Sequence, residues 1–108
     1  MKRSPSHLLL ALFALAASSM SQAQDTPTQA LYTRSLAATC ANCHGTDGRA
    51  LPGSNLASIA GMDRSYLSAQ LRAFKSGARP ATVMHQISKG YSDAQIDTLA
   101  AYFAAQKK

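Results

Sequence analysis

Apolar and polar positions divide the chain into stretches that behave differently. The first, residues 8–17 (LLLALFALAA), runs without a charge, follows Lys2 and Arg3, and leads into SSMSQA. A basic start, a short apolar run and small residues before a cut are the pattern of an export signal. Ser21 at −3 and Ala23 at −1 place that cut after Ala23, so the expected organisation is a cleaved signal at 1–23 and one domain at 24–108. The mostly apolar part, residues 8–20, is about 13 residues against the ~20 that a bilayer span requires, and no later segment is long enough. Residues 24–29 (QDTPTQ) are polar and hold Pro27, as in a frayed start.

From Ala30 to Ala41, Leu31 or Tyr32, Ser35/Leu36 and Thr39/Cys40 recur at helical spacing, with Thr28 placed as an N-cap. Residues 45–61 hold four glycines and Pro52 and read as a loop with room for one short turn. Asp63 then stands as an N-cap before a stripe of Tyr66, Leu67, Leu71 and Phe74, closed by Lys75 and Gly77. Residues 78–84 form a connection extended before Pro80, and 84–89 have room for a short helix. Ser92 and Gln95 make a capping box for a last helix that presents Ile96, Leu99, Ala100 and Phe103 on one face. No segment alternates as a strand does, and nothing repeats. The expected fold is all-α, with three main helices joined by Gly-rich and Pro-containing loops.

Composition sharpens this. The chain has 108 residues, of which 46% are hydrophobic and 6% aromatic, with no Trp. One small domain fits; a multidomain enzyme does not. Removing residues 1–23 takes away Lys2 and Arg3 and leaves nine basic and five acidic side chains, a formal charge of +4. That excess suits docking to an acidic partner, but there is no Lys/Arg run that demands nucleic acid. Three helices with few aromatics make a meagre core for such a domain, unless the chain wraps a ligand that supplies apolar volume.

The two cysteines fall in Cys40-Ala41-Asn42-Cys43-His44, the attachment motif of c-type haem. Two thiols three residues apart near a helix end reach the two vinyl groups of one porphyrin, and the next residue offers an imidazole as the proximal ligand. A thioredoxin-like CxxC would require a strand–helix context that is missing. Zinc would require a further ligand, with only His85 and the five Asp available, and a disulfide between Cys40 and Cys43 would close a tiny loop. The expected cofactor is therefore one covalent haem c. Candidates for the sixth ligand are Met84, His85 and Met62. Met84 is preferred because it lies in a loop region 40 residues after His44 and just before the terminal helix, whereas Met62 fits a staple position before the Asp63 cap. Imidazole–thioether ligation favours ferrous iron and raises the potential, as suits an electron carrier. Pro52 is a candidate for packing near His44, Tyr66 and Tyr102 for donating to haem propionates, and Arg79 for pairing with one.

Through the CANCHGTDG stretch at 40–48, Ile59-Ala-Gly-Met62, Tyr66-Leu67, Phe74-Lys-Ser-Gly77, Met84 and Tyr91 to Phe103, the chain resembles class I cytochromes c of bacterial periplasms. The resemblance covers nearly all of residues 30–106. It implies crossing first and last helices beside the haem, iron held by His44 and Met84, thioethers at Cys40 and Cys43, and an exposed porphyrin edge. Ser58 to Met62, Phe74 to Gly77, and Met84 leading into Ile87-Ser-Lys-Gly-Tyr91-Ser92 are similar to the cytochrome subunits of flavocytochrome c sulfide dehydrogenases. That similarity implies an FAD-containing flavoprotein as electron donor, a downstream acceptor, and no bond-making chemistry in this chain. With a single CxxCH it would be a monohaem form. The rival expectations are a free soluble shuttle to an oxidase or other redox partner, and a haem enzyme or gas sensor with an open sixth position.

Overall fold

The computed structural model describes residues 25–108, so the export signal expected at 1–23 lies outside the described residues. Its contacts divide the chain into two compact units, 1–31 and 32–108, and the packing described below is that of the second. Five α-helices are present among the described residues: α1 (Asp25–Ala38), α2 (Ala41–His44), α3 (Arg64–Ser76), α4 (Met84–Lys89) and α5 (Asp93–Ala104), with a 3-10 turn at Thr46–Gly48. The all-α class is as expected, but the helix count is five rather than three. α4 is the short helix for which residues 84–89 have room, whereas α2, of four residues, is too short for an apolar period to register in the sequence.

α1 starts at Asp25 rather than near Ala30. Pro27, read as a sign of a frayed start, is the third residue of the helix. The first N–H groups of a helix have no intrahelical acceptor, so proline removes nothing there. At the other end the chain turns at Thr39–Cys40, through Thr39 N–H to Leu36 O (3.3 Å) and Cys40 N–H to Ala37 O (3.1 Å), and winds again into α2.

The longer helices end as their sequences direct. Asp63 accepts from the Tyr66 N–H to cap α3, and Gly77 closes it in the left-handed conformation at φ 82°. Ser92 and Gln95 form the reciprocal capping box at the start of α5. Leu67 from α3 packs with Ala37 from α1 and with Leu99, Ala100 and Phe103 from α5, forming the central cluster. Ile96 is also fully buried. The core is small and rich in alanine. Tyr66, assigned to the apolar stripe of α3, is instead 51% exposed.

The loop of residues 45–61 folds back through a single carbonyl. Gly48 O accepts from Ile59 N–H (2.8 Å), Ala60 N–H (3.1 Å) and Ser58 Oγ (3.0 Å). Gly48 is buried at φ 79°, and a Cβ there would lie 2.7 Å from Ile59 Cγ1 and 2.8 Å from Phe103 Cδ1. Glycine is required both by the backbone and by the space.

α3 packs against α4 and α5, and polar bonds fix its alignment with α5. Arg72 donates to both oxygens of Asp97 at 2.9 Å, and Ser68 Oγ donates to the same carboxylate at 2.8 Å. Lys75 bridges Asp93 and the Tyr91 carbonyl, each at 2.8 Å. The hydrogen bond from Arg72, then that from Ser68, holds Asp97 below the usual carboxylate range. The Lys75 bond does the same for Asp93. Carboxylates depressed on folding stabilise the native state above their unfolded pKa of ~3.9 and lose that contribution as pH falls through the folded values. Asp97→Asn is therefore expected to flatten the loss of stability below about pH 4, measured by urea unfolding across pH. An unchanged acid limb would contradict the assignment.

Candidate functional site

The CxxCH segment occupies one helical turn. Cys40 is the N-cap of α2, Cys43 and His44 close it, and the N–H groups of Cys43 and His44 both reach the Cys40 carbonyl, at 3.3 and 2.9 Å. Residues three apart in a helix lie on one face, so both thiols are presented together. Both are free, Cys40 half-buried and Cys43 exposed. Burial pushes the Cys40 thiol up, partly offset by its contact with Thr39.

His44 is oriented from outside its own helix. Its Nδ1 lies 2.7 Å from the Ala57 carbonyl oxygen. A carbonyl only accepts, so Nδ1 is the protonated nitrogen and Nε2 keeps its lone pair. This is the orienting bond that metal-ligating imidazoles typically have. Gly45 allows the chain to turn sharply after the imidazole: at φ 80°, a Cβ would sit 1.8 Å from Arg49 O.

A second link ties this segment to the α4–α5 connection. Thr39 Oγ1 donates to Leu36 O at 2.7 Å and lies 2.9 Å from Tyr91 Oη. Its one proton is thereby committed, so the Tyr91 hydroxyl donates to Thr39. Tyr91 is held elsewhere too: its N–H reaches Ser88 O at 3.2 Å, and its carbonyl accepts from Lys75. Tyr91→Phe keeps the packing and removes this bond, and is expected to cost about 0.5–1.5 kcal/mol in urea unfolding. Thr39→Val is expected to be non-additive with it; strict additivity would deny the link.

Met84 begins α4 and is half-buried, with His85 beside it. Two buried polar atoms on this helix, His85 Nδ1 and Ser88 Oγ, have no hydrogen-bond partner. Met62 is half-buried against the core cluster. Pro52 is exposed, and the partner of His44 is the Ala57 carbonyl. Tyr102 donates to Asp47 Oδ1 at 2.6 Å, while Arg79 lies over the Phe74 ring, 4.6 Å from its centroid, and bonds Gln70. The Ala57 carbonyl and the Thr39–Tyr91 pair are the features that sequence reasoning missed.

The residues present fit a haem c. Besides the paired thiols and an imidazole with a free Nε2, large apolar side chains stand exposed on the segments that follow His44 and flank Met84: Leu51 (76%), Leu56 (49%), Val83 (54%) and Ile87 (42%). Such surface suits an apolar macrocycle. Among the described residues, no group of three or more His, Cys, Asp or Glu side chains is placed to hold a metal ion. No helix among them is long and apolar enough to cross a membrane.

Residues 28–107 match the family model described as cytochrome c. The chain is 41% identical over 73 residues to the cytochrome subunit of sulfide dehydrogenase of Chlorobaculum tepidum, covering 68% of this chain and 64% of that one. It is 36% identical over 88 residues to the thiosulfate dehydrogenase electron acceptor of Stutzerimonas stutzeri, covering 78% and 41%. It is 35% identical over 72 residues to cytochrome c-554(548) of Halomonas halodenitrificans, covering 64% and 86%. The chain thus spans less than two thirds of the length of the first two relatives. It belongs to the cytochrome c family, as a class I c-type cytochrome domain related to the cytochrome subunit of sulfide dehydrogenase.

Proposed function

We propose that this electron-transfer domain works in the periplasm, after cleavage behind Ala23, with one haem c joined to Cys40 and Cys43 and its iron held by His44 and Met84. Electrons arrive from an FAD-containing flavoprotein that oxidises sulfide and leave to a downstream acceptor. The observation that carries the haem assignment is the one-turn CxxCH helix with His44 Nδ1 bonded to the Ala57 carbonyl. The partner reading is supported by the likeness to the sulfide dehydrogenase subunit.

When bound, the haem supplies a reversible one-electron change between ferric and ferrous iron. The chain's own residues set its terms. The Ala57 carbonyl keeps the Nδ1 proton of His44 in place, leaving Nε2 to bind iron and strengthening it as a donor. A thioether at Met84 favours the reduced state. Leu51, Leu56, Val83 and Ile87 keep water from the macrocycle, and this low-dielectric setting is a further control on the potential. The chain makes and breaks no substrate bond.

A second reading is a free shuttle without a fixed flavoprotein; it draws on the likeness to cytochrome c-554(548), whose name carries no dehydrogenase and of which the chain covers 86%. Size-exclusion chromatography of protein from its native periplasm, with full absorbance spectra across each peak, separates the two. Haem and flavin eluting together, in constant ratio and reduced by sulfide, is the expected result. Haem alone at monomer mass, with no flavin at any loading concentration, would favour the shuttle.

A further inference from the structure

α4 begins at Met84 and runs, through Gly90, into Tyr91. Its two ends are held very differently. At the Met84 end no side chain caps the helix. Among the described residues, the only hydrogen bonds that residues 80–89 make outside themselves go to Gly90 and Tyr91, which directly follow. The buried polar atoms of α4, His85 Nδ1 and Ser88 Oγ, bond nothing, and Val83 and Ile87 stand exposed. What holds the helix is its packing against α3 and the anchor at Tyr91. That residue is bonded in three directions: its N–H donates to Ser88 O at 3.2 Å, its carbonyl accepts from Lys75 of α3 at 2.8 Å, and its hydroxyl donates to Thr39 Oγ1 at 2.9 Å. Thr39 adjoins Cys40, with Oγ1 3.9 Å from the Cys40 Sγ. A single side chain thus joins the helix that starts at Met84 to the turn that holds the first thiol, and among the described residues no other hydrogen bond does so.

We propose that the Tyr91–Thr39 hydrogen bond is a latch on α4, which keeps Met84 in place as the sixth ligand and so closes the iron to added ligands. Tyr91 is a positioning residue: it acts through the helix that precedes it. The proposal rests on the Met84 ligation proposed above and is independent of whether sulfide feeds the chain. A foreign ligand reaches the iron only when the thioether withdraws. α4 is six residues long and continues by the Ser88–Tyr91 bond into its anchor, so it moves as one body. The connection before it, residues 78–83, is tied back only at its start, where Arg79 N–H meets Ala73 O at 3.1 Å. Displacing Met84 therefore pulls on Tyr91, and the bond to Thr39 is present in the closed state and lost in the open one. Removing that bond raises the closed state alone, so the sign is fixed: a foreign ligand binds more tightly without it, by the net worth of one hydrogen bond. The latch thereby favours a carrier, whose iron exchanges electrons only, over a haem open to small molecules.

The test is titration of the haem-loaded mature protein, in the ferric state, with imidazole, read from the loss of the far-red absorption that a thioether gives to ferric haem. Tyr91→Phe and Thr39→Val are each expected to bind imidazole about two- to tenfold more tightly than the parent. The double variant is expected to bind no more tightly than either single one, because both remove the same bond. Thr39→Ser keeps the hydroxyl and should restore the parent affinity. Asp97→Asn removes bonds between α3 and α5 without touching the latch, and should leave imidazole affinity as in the parent. Unchanged affinity in Tyr91→Phe and Thr39→Val, additive effects in the double variant, or equal tightening by Asp97→Asn would overturn the latch while leaving Met84 as the ligand. A parent that lacks the far-red absorption would overturn the Met84 reading, and the latch with it.

Discussion

Met84→Ala is expected to leave the haem attached and the fold intact while opening the sixth position of the iron. The thioethers proposed at Cys40 and Cys43 and the bond proposed from His44 would not involve α4, which begins at Met84. The spectrum should become that of high-spin iron, carbon monoxide should bind at neutral pH, and the potential should fall by an amount on the order of 0.1 V, within the ~0.8 V that axial ligands span. His85 makes the experiment discriminating. It is the neighbouring residue, half-buried, with an unpartnered Nδ1, so His85→Ala is the companion variant. If Met84 is the ligand, His85→Ala keeps the low-spin spectrum. If His85→Ala opens the iron and Met84→Ala does not, the ligand assignment is wrong. Retention of the parent spectrum in both would leave Met62 as the ligand.

Phe103→Ala should be the most destabilising single change in the core, about 3–5 kcal/mol, the range for truncating a buried aromatic. Phe103 is 3% exposed and belongs to the cluster with Ala37, Leu67, Leu99 and Ala100. Two of these four neighbours are alanines, Ala37 on α1 and Ala100 on α5, with little side chain to move into the space left behind. Phe103 also lies against the close approach at Gly48, and its carbonyl accepts from Gly61 N–H at 2.8 Å. The loss therefore reaches the loop that carries Ala57 and orients His44. Small domains have total stabilities of about 5–15 kcal/mol, so the variant should be largely unfolded in mild urea. A cost below ~1 kcal/mol would mean that Phe103 does not anchor the core.

The features legible in the sequence are those whose physics is local. Asp63, Gly77 and the Ser92–Gln95 pair act within three or four residues of themselves, and each ends its helix as expected. The CxxCH spacing is likewise contained in one turn. Ile96, Leu99, Ala100 and Phe103 were readable because α5 is long enough for its buried face to repeat. What was not legible depends on distant partners or on groups without a side-chain signature. The Ala57 carbonyl that orients His44 belongs to a residue any side chain could replace. Thr39 and Tyr91 are 52 residues apart, and neither residue type points to the other. Pro27 misled because its effect depends on position: inside a helix it breaks the ladder, whereas in the first turn it costs nothing.

The most direct measurement is intact and peptide mass spectrometry of the purified mature protein from a host that exports and matures c-type cytochromes. The expected species begins at Gln24 and carries one haem, which remains on the peptide containing Cys40 and Cys43 after denaturation. A colourless protein whose two cysteines are both free to alkylate, or whose haem washes away on denaturation, would contradict the account at its centre.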